Sequence, residues 1–139
     1  MESKPFLDFL PTNFRHEKSF FIQNNLTDFE KISNLSDSKI NEIQRKSQLC
    51  TLNNLKKIRT IAIFKKEISI SPPEAYLLLH SGIGSIKSLS LSTPYELEVK
   101  IGRLERILRV KTETDTTFAL LKEWIKKASQ IDQSIENIG

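Results

Sequence analysis

Residues 71–108 read SPPEAYLLLHSGIGSIKSLSLSTPYELEVKIGRLERIL, and they spell out three short helices joined by tight turns. Ser71, Pro72, Pro73 and Glu74 supply an N-cap, prolines tolerated in a first turn, and a Glu that can reach back to the cap amide. The apolar run Ala75 to Leu79 stops at Gly82, which can adopt the left-handed conformation that ends a helix. A second helix is expected from near Ser85. Thr93-Pro94-Tyr95-Glu96 repeats the capping pattern for a third, from Tyr95 to Val110.

Working outward, residues 1–15 form an apolar arm. Phe6, Leu7, Phe9, Leu10 and Phe14 are punctuated by Pro5 and Pro11, and so many large apolar groups imply an arm packed on the body. A helix is expected from about Phe14 to Asn24, where Asn24-Asn25 can stop it. Leu26, Phe29 and Ile32 suit a short amphipathic helix, and Ser36 can cap the next, which turns Ile40 and Ile43 inward.

A shift of 57 residues lays this segment on the opening one: Leu26 on Ile83, Phe29 on Ile86, Ile32 on Leu89, Ser36 on Thr93, Ile40 on Leu97. Asn25 falls on Gly82. A further amphipathic helix follows each segment, with Leu52, Leu55, Ile58 and Ala62 in the first and Phe118, Leu121, Trp124 and Ala128 in the second. Trp124 is expected as a core anchor beside Phe118 and Leu121. The pattern is that of an internal repeat of helix-turn-helix type. The units are expected at 16–64 and 72–129, joined by a connector over 65–71 and trailed by a frayed polar tail over 130–139. Ile61 to Ile70 shows strand-like alternation at its end, but a lone strand would leave its backbone unpaired. A helix through about Phe64 and an extended connector fit better.

The expected fold is therefore all-α: about eight short helices in tandem units within a single compact domain. A chain of 139 residues with 38% hydrophobic residues and eight Phe can build a modest core of this kind. No apolar run approaches the roughly 20 residues that span a bilayer, and the first residues lack a secretory pattern, so a cytoplasmic location is expected. Cys50 is the only cysteine, which excludes an internal disulfide and a Cys-based zinc site. His16 and His80 each lack a second ligand at metal-binding spacing, so neither metal nor cofactor is expected. His80 sits where an imidazole can bond a free carbonyl at its helix end. No nucleophile has a positioned base, and Gly82-Ile83-Gly84 has neither a third glycine nor a preceding strand. A non-catalytic protein with no evident small-molecule substrate is the expectation.

Leu10-Pro11, Asn25 to Phe29, Leu35 to Asp37, Leu55 to Ala62, Pro73 to Leu78, Gly82-Ile83, Pro94 to Leu97 and Gly102 to Arg106 together carry a family resemblance. The stretch from about Leu7 to Ala128 resembles a domain-of-unknown-function family, common in cyanobacteria, built from tandem helix-hairpin-helix-like units. The resemblance implies an all-helical fold and distant kinship with modules many of which bind DNA. It implies no activity and no catalytic residue.

Three features bear on binding. In DNA-binding hairpins of this type a Gly-apolar-Gly turn such as Gly82-Ile83-Gly84 offers backbone N–H groups to a phosphate. Here Ile83, Ile86 and Leu89 make a core stripe, which also suits a purely structural turn. The third helix carries Lys100, Arg103, Arg106 and Arg109 every three residues, extended by Lys111, while Leu97, Ile101, Leu104 and Leu108 face inward. Such a stripe can follow a phosphate backbone or an acidic partner, or form a solvated face neutralised by Glu96, Glu98 and Glu105. Lys56, Lys57, Arg59, Lys65 and Lys66 form a second basic group that can also complement a helix dipole. The net charge of +4 permits nucleic-acid binding without demanding it. A module on DNA or RNA backbone, through Lys100, Arg103, Arg106, Arg109, Lys111, Gly82 and Gly84, is the leading expectation. A protein-interaction adaptor, docking through the Phe-rich arm or the same stripe, is the other.

Overall fold

The structure is a computed structural model that describes residues 6–108 and 118–138. These residues are all-helical. Two 3-10 turns, Phe6–Phe9 and Thr12–Phe14, lead into α1 (Arg15–Gln23), α2 (Phe29–Ser33), α3 (Asp37–Lys46), α4 (Leu52–Ile68), α5 (Pro72–His80), α6 (Ile86–Ser90), α7 (Pro94–Leu108) and α8 (Phe118–Ile138). The chain divides into two compact units, Met1–Glu67 and Ile68–Gly139.

In the first unit the arm is part of the core. Phe6, Leu7 and Phe14 are buried, and the Phe6 ring lies 6.2 Å from that of Phe29. α1 contributes Phe21, α2 Ile32, α3 Ile40 and Ile43, and α4 Leu55, Ile58, Ile61, Ala62 and Phe64, all at most 1% exposed. The inward positions recur at three- and four-residue spacing, as an amphipathic helix on a core requires. Asn25, at φ 56°, turns the chain after α1, and the Leu26 N–H donates to the Phe21 carbonyl at 2.8 Å. The Asp28 carboxylate caps α2 by accepting from the Glu30 N–H, and the Ser36 hydroxyl caps α3 by accepting from Lys39 N–H.

The second unit has the same order of parts. α5 and α6 begin and end 57 residues after α1 and α2, and α7 begins 57 after α3. Gly82, at φ 89°, stands where Asn25 does, and the Ile83 N–H donates to the Leu78 carbonyl at 2.9 Å. Thr93 caps α7 by accepting from the Glu96 N–H. α6 and α7 both pack on α8, and α5 packs on α7. Leu89, Leu97, Ile101, Leu121, Trp124 and Ala128 form this core. Before the last helix the shift grows from 57 to 66, since α4 begins at Leu52 and α8 at Phe118.

Several expectations need correction. α4 does not end near Phe64 but runs to Ile68, because Phe64 and Ile68 continue its buried face; Ser69, at φ 65°, then makes the left-handed stop. The connector over 65–71 shrinks accordingly to 69–71. α8 extends from Phe118 to Ile138, so helix covers most of the stretch over which a polar tail was expected. Ser71 precedes α5 in extended conformation but its buried hydroxyl makes no hydrogen bond among the described residues. Pro72 and Pro73 have no N–H to cap, which removes most of the need. Leu26 precedes α2 instead of joining it. Leu52 and Phe118, the first residues of their helices, are 37% and 46% exposed, so Phe118 is no core neighbour for Trp124. Ile86 and Leu104 are only half-buried.

Candidate nucleic-acid interface

α7 is oriented by Leu97 and Ile101, each 1% exposed, and this fixes where its charges project. At 100° per residue, Lys100 and Arg103 lie on one flank and Arg106 opposite the buried face, while Glu98 and Glu105 lie on the other flank. Glu96 sits one turn before Lys100 on the cationic flank. Lys100, Arg103 and Arg106 are all exposed and make no ion pair among the described residues. The Arg106 guanidinium folds back along the helix, 3.8 Å from where a Cβ on Gly102 would stand. Arg109 and Lys111 lie outside the described residues.

The two hairpin glycines form a separate group in the α5–α6 turn. The Gly82 N–H donates to the Leu79 carbonyl at 3.1 Å, so it is committed to ending α5. Gly84 is exposed with open space around its Cα. The first turn of α6 is capped from within: the Ser88 N–H donates to Ser85 Oγ at 3.0 Å, and the Ser85 N–H to Ser88 Oγ at 3.1 Å. The position five after Ile83, where Ser88 stands, thus closes a capping box. The equivalent turn of the first unit caps α2 with the carboxylate of Asp28, which would repel a phosphate.

Three members of the second basic group, Arg59, Lys65 and Lys66, are committed to their own unit. Arg59 Nη1 lies 2.8 Å from Asp37 Oδ1 and donates to the Leu35 carbonyl at 3.0 Å, tying α4 to the α2–α3 turn. The Lys65 ammonium lies 5.1 Å above the Phe29 ring, and Lys66 donates to Asn34 Oδ1 at 3.3 Å. Lys56 is exposed and Lys57 half-buried.

Other notable groups have no reading from sequence above, except Glu74, which is read there only as a capping residue. Glu17 and Glu74, at 1% and 2% exposure, are the buried acids, and they stand 57 residues apart. Glu17 accepts from the Thr51 N–H at 2.9 Å and from Asn54 Nδ2 at 3.3 Å, so it ties α1 to the start of α4. The 57-residue shift was the signal that pairs them. Lys39, Glu42 and Lys46 share one face of α3 and rim a hollow of about 270 Å³. On α8, Lys122, Lys126 and Lys127 add a second cationic surface, with Lys127 3.6 Å from Glu123.

Reactive groups are muted. The Cys50 thiol is buried and donates to the His16 carbonyl at 3.7 Å; burial pushes its pKa up, Glu17 adds to this, and Ser47 opposes it. A thiol held protonated is a poor nucleophile. The His80 ring meets Tyr76 edge-on at 4.4 Å. Among the described residues no three His, Cys, Asp or Glu side chains are grouped to hold a metal ion, and no helix is long and apolar enough to cross a membrane.

A family model described as Domain of unknown function (DUF4332) matches residues 11–131, and the chain belongs to that family. No curated protein and no solved structure matches the chain.

Proposed function

We propose that this DUF4332 protein is a non-catalytic binding module that holds a nucleic-acid backbone on the outer face of α7. The observation that carries this is the contrast in cation use. Arg59, Lys65 and Lys66 are bound to their own unit, whereas Lys100, Arg103 and Arg106 are exposed and unpaired among the described residues. Unpaired side chains can release counterions on meeting phosphates without first breaking an internal contact. The second unit has nine Lys and Arg against nine Asp and Glu, so net charge does not favour it. Local segregation on α7 outweighs that balance, because salt screens charges beyond about 10 Å.

We read the 57-residue recurrence as two helix-hairpin-helix-like units in tandem, with the Gly82-Gly84 turn serving the fold. The kinship to phosphate-binding modules is an analogy of fold and supports the reading only weakly. Binding of this kind has little sequence preference, since phosphate contacts carry none.

The test is fluorescence anisotropy with labelled duplex DNA, single-stranded DNA and RNA from about 50 to 200 mM salt, the range over which phosphate-driven affinity falls most visibly. Binding that weakens with salt and is lost when Arg103, Arg106 and Arg109 become Ala supports the reading. An unbound protein at the lowest salt ends it. A second reading, a protein-interaction adaptor, is favoured by Leu91, Tyr95 and Val99, large apolar residues at four-residue spacing with 75%, 71% and 44% exposure. The Phe-rich arm is a poor docking element, because Phe6, Leu7 and Phe14 are buried.

A further inference from the structure

The hollow in the first unit lies between the end of α1, the turn after it and α3, lined by Phe20, Asn24, Leu26, Lys39, Glu42, Ile43 and Lys46. Its floor is apolar: Ile43 is buried, while Phe20 and Leu26 are left half-exposed. At the equivalent places in the second unit, Leu77 and Ile83 are buried to 0% and 6% exposure. Incomplete closure is therefore a feature of the first unit and not a requirement of the helix-turn-helix skeleton. The rim is charged. Lys46 Nζ lies 2.9 Å from one Glu42 oxygen, and Lys39 Nζ lies 3.6 Å from the other. Two ammonium groups thus converge on one edge of an apolar floor, with one carboxylate between them.

We propose that this hollow binds a nucleotide, either free or as an unstacked residue of a single strand. Each part of such a ligand meets its complement. The planar base covers Phe20 and Leu26, as bases commonly cover aromatic side chains. The phosphate competes with Glu42 for Lys39 and Lys46, two cations against one carboxylate, and charge-assisted hydrogen bonds to it are strong. Glu42, drawn between the lysines, accepts from a sugar hydroxyl or a base N–H. The void of about 270 Å³ has room for a base. The first unit also carries the whole net charge of the chain, with twelve Lys and Arg against eight Asp and Glu. This site is separate from α7 and stands whether or not α7 binds nucleic acid.

The test is a nuclear magnetic resonance titration of the full chain with adenosine 5′-monophosphate, adenosine, inorganic phosphate and a short single-stranded oligoadenylate. The expected result is a set of amide shifts confined to Phe20, Asn24, Leu26 and the Lys39–Lys46 segment. Adenosine and phosphate alone should bind at least about tenfold more weakly, because each lacks half the contacts. The exposed double variant K39Q/K46Q should lose about tenfold in affinity while an R103A/R106A variant keeps it. Tighter binding of the oligoadenylate at the same residues identifies a strand as the source, and equal or weaker binding a free nucleotide. Phosphate binding as well as the nucleotide, shifts elsewhere, or full affinity in K39Q/K46Q would each overturn the assignment.

Discussion

The two units share a skeleton and differ in how they use charge. Each has a helix stopped by a left-handed residue, a five-residue second helix, and a capped third helix. Each buries one glutamate at the same place. In the first unit Arg59, Lys65 and Lys66 of α4 hold neighbouring elements, and a lysine pair on α3 rims an unfilled hollow. In the second, Leu77 and Ile83 are buried at the equivalent places, and Lys100, Arg103 and Arg106 are exposed and unpaired among the described residues. A skeleton built from caps and apolar spacing leaves its exposed positions unconstrained, so equivalent faces can acquire different work.

The largest effects should fall on the shared skeleton. Ile32→Ala and Leu89→Ala remove fully buried side chains at equivalent places, and each should cost about 2–5 kcal/mol in urea unfolding. Trp124, the only tryptophan, reports the second unit by fluorescence, and amide exchange reports the first. A loss under about 1 kcal/mol at either site would break the equivalence. Glu17→Ala should cost about 2 kcal/mol, because the Thr51 N–H and the Asn54 side-chain amide lose a shared, buried acceptor. Glu17→Gln, which keeps an acceptor oxygen, should cost less.

Charge use sharpens the contrast next. Arg59→Ala should destabilise by about 1–2 kcal/mol through loss of Asp37 and the Leu35 carbonyl. Arg103→Ala should leave stability within about 0.5 kcal/mol and lower only the affinity for nucleic acid. Equal losses from both would refute the division between holding and binding cations. The turns should respond with opposite signs. Gly82→Ala should cost about 1 kcal/mol at its φ of 89°, although a Cβ there meets nothing within 4 Å. Asn25→Gly should be neutral or stabilising by a few tenths of a kcal/mol, since it relieves the same strain.

The smallest effect concerns pH. Hydrogen bonding from Lys46, then the charges of Lys39 and Lys46, hold the Glu42 carboxyl below its ordinary value. The linked stabilisation is therefore present above the ordinary glutamate pKa and lost as pH falls through the lowered one. A carbon-detected titration should show Glu42 as an early-ionising carboxylate, and Lys46→Ala should return it most of the way. An unshifted midpoint in the parent protein would show that the triad does not form in solution.

Much of the fold was legible because its signals are local. The stop at Gly82, the caps Ser36 and Thr93, and the inward stripe Leu97, Ile101 could be read from residues three or four apart. The strand-like alternation of Ile68 and Ile70 is rightly set aside, but an extended connector is the wrong place for Ile68, which in fact closes the buried face of α4. The exposed state of Lys100, Arg103 and Arg106 followed from the apolar stripe. The different fate of Arg59, Lys65 and Lys66 did not, because their partners Leu35, Phe29 and Asn34 are supplied by other elements.

Sequence alone determined the helix order, the turn positions and the 57-residue recurrence, since capping and periodicity act within one or two helical turns. Tertiary structure decided which charges are spent and which remain available. Glu17 reaches Thr51 across 34 residues and Arg59 reaches Leu35 across 24. Such contacts depend on how helices pack, and packing also decides that Phe20 and Leu26 floor a hollow while Leu77 and Ile83, at the equivalent places, are buried.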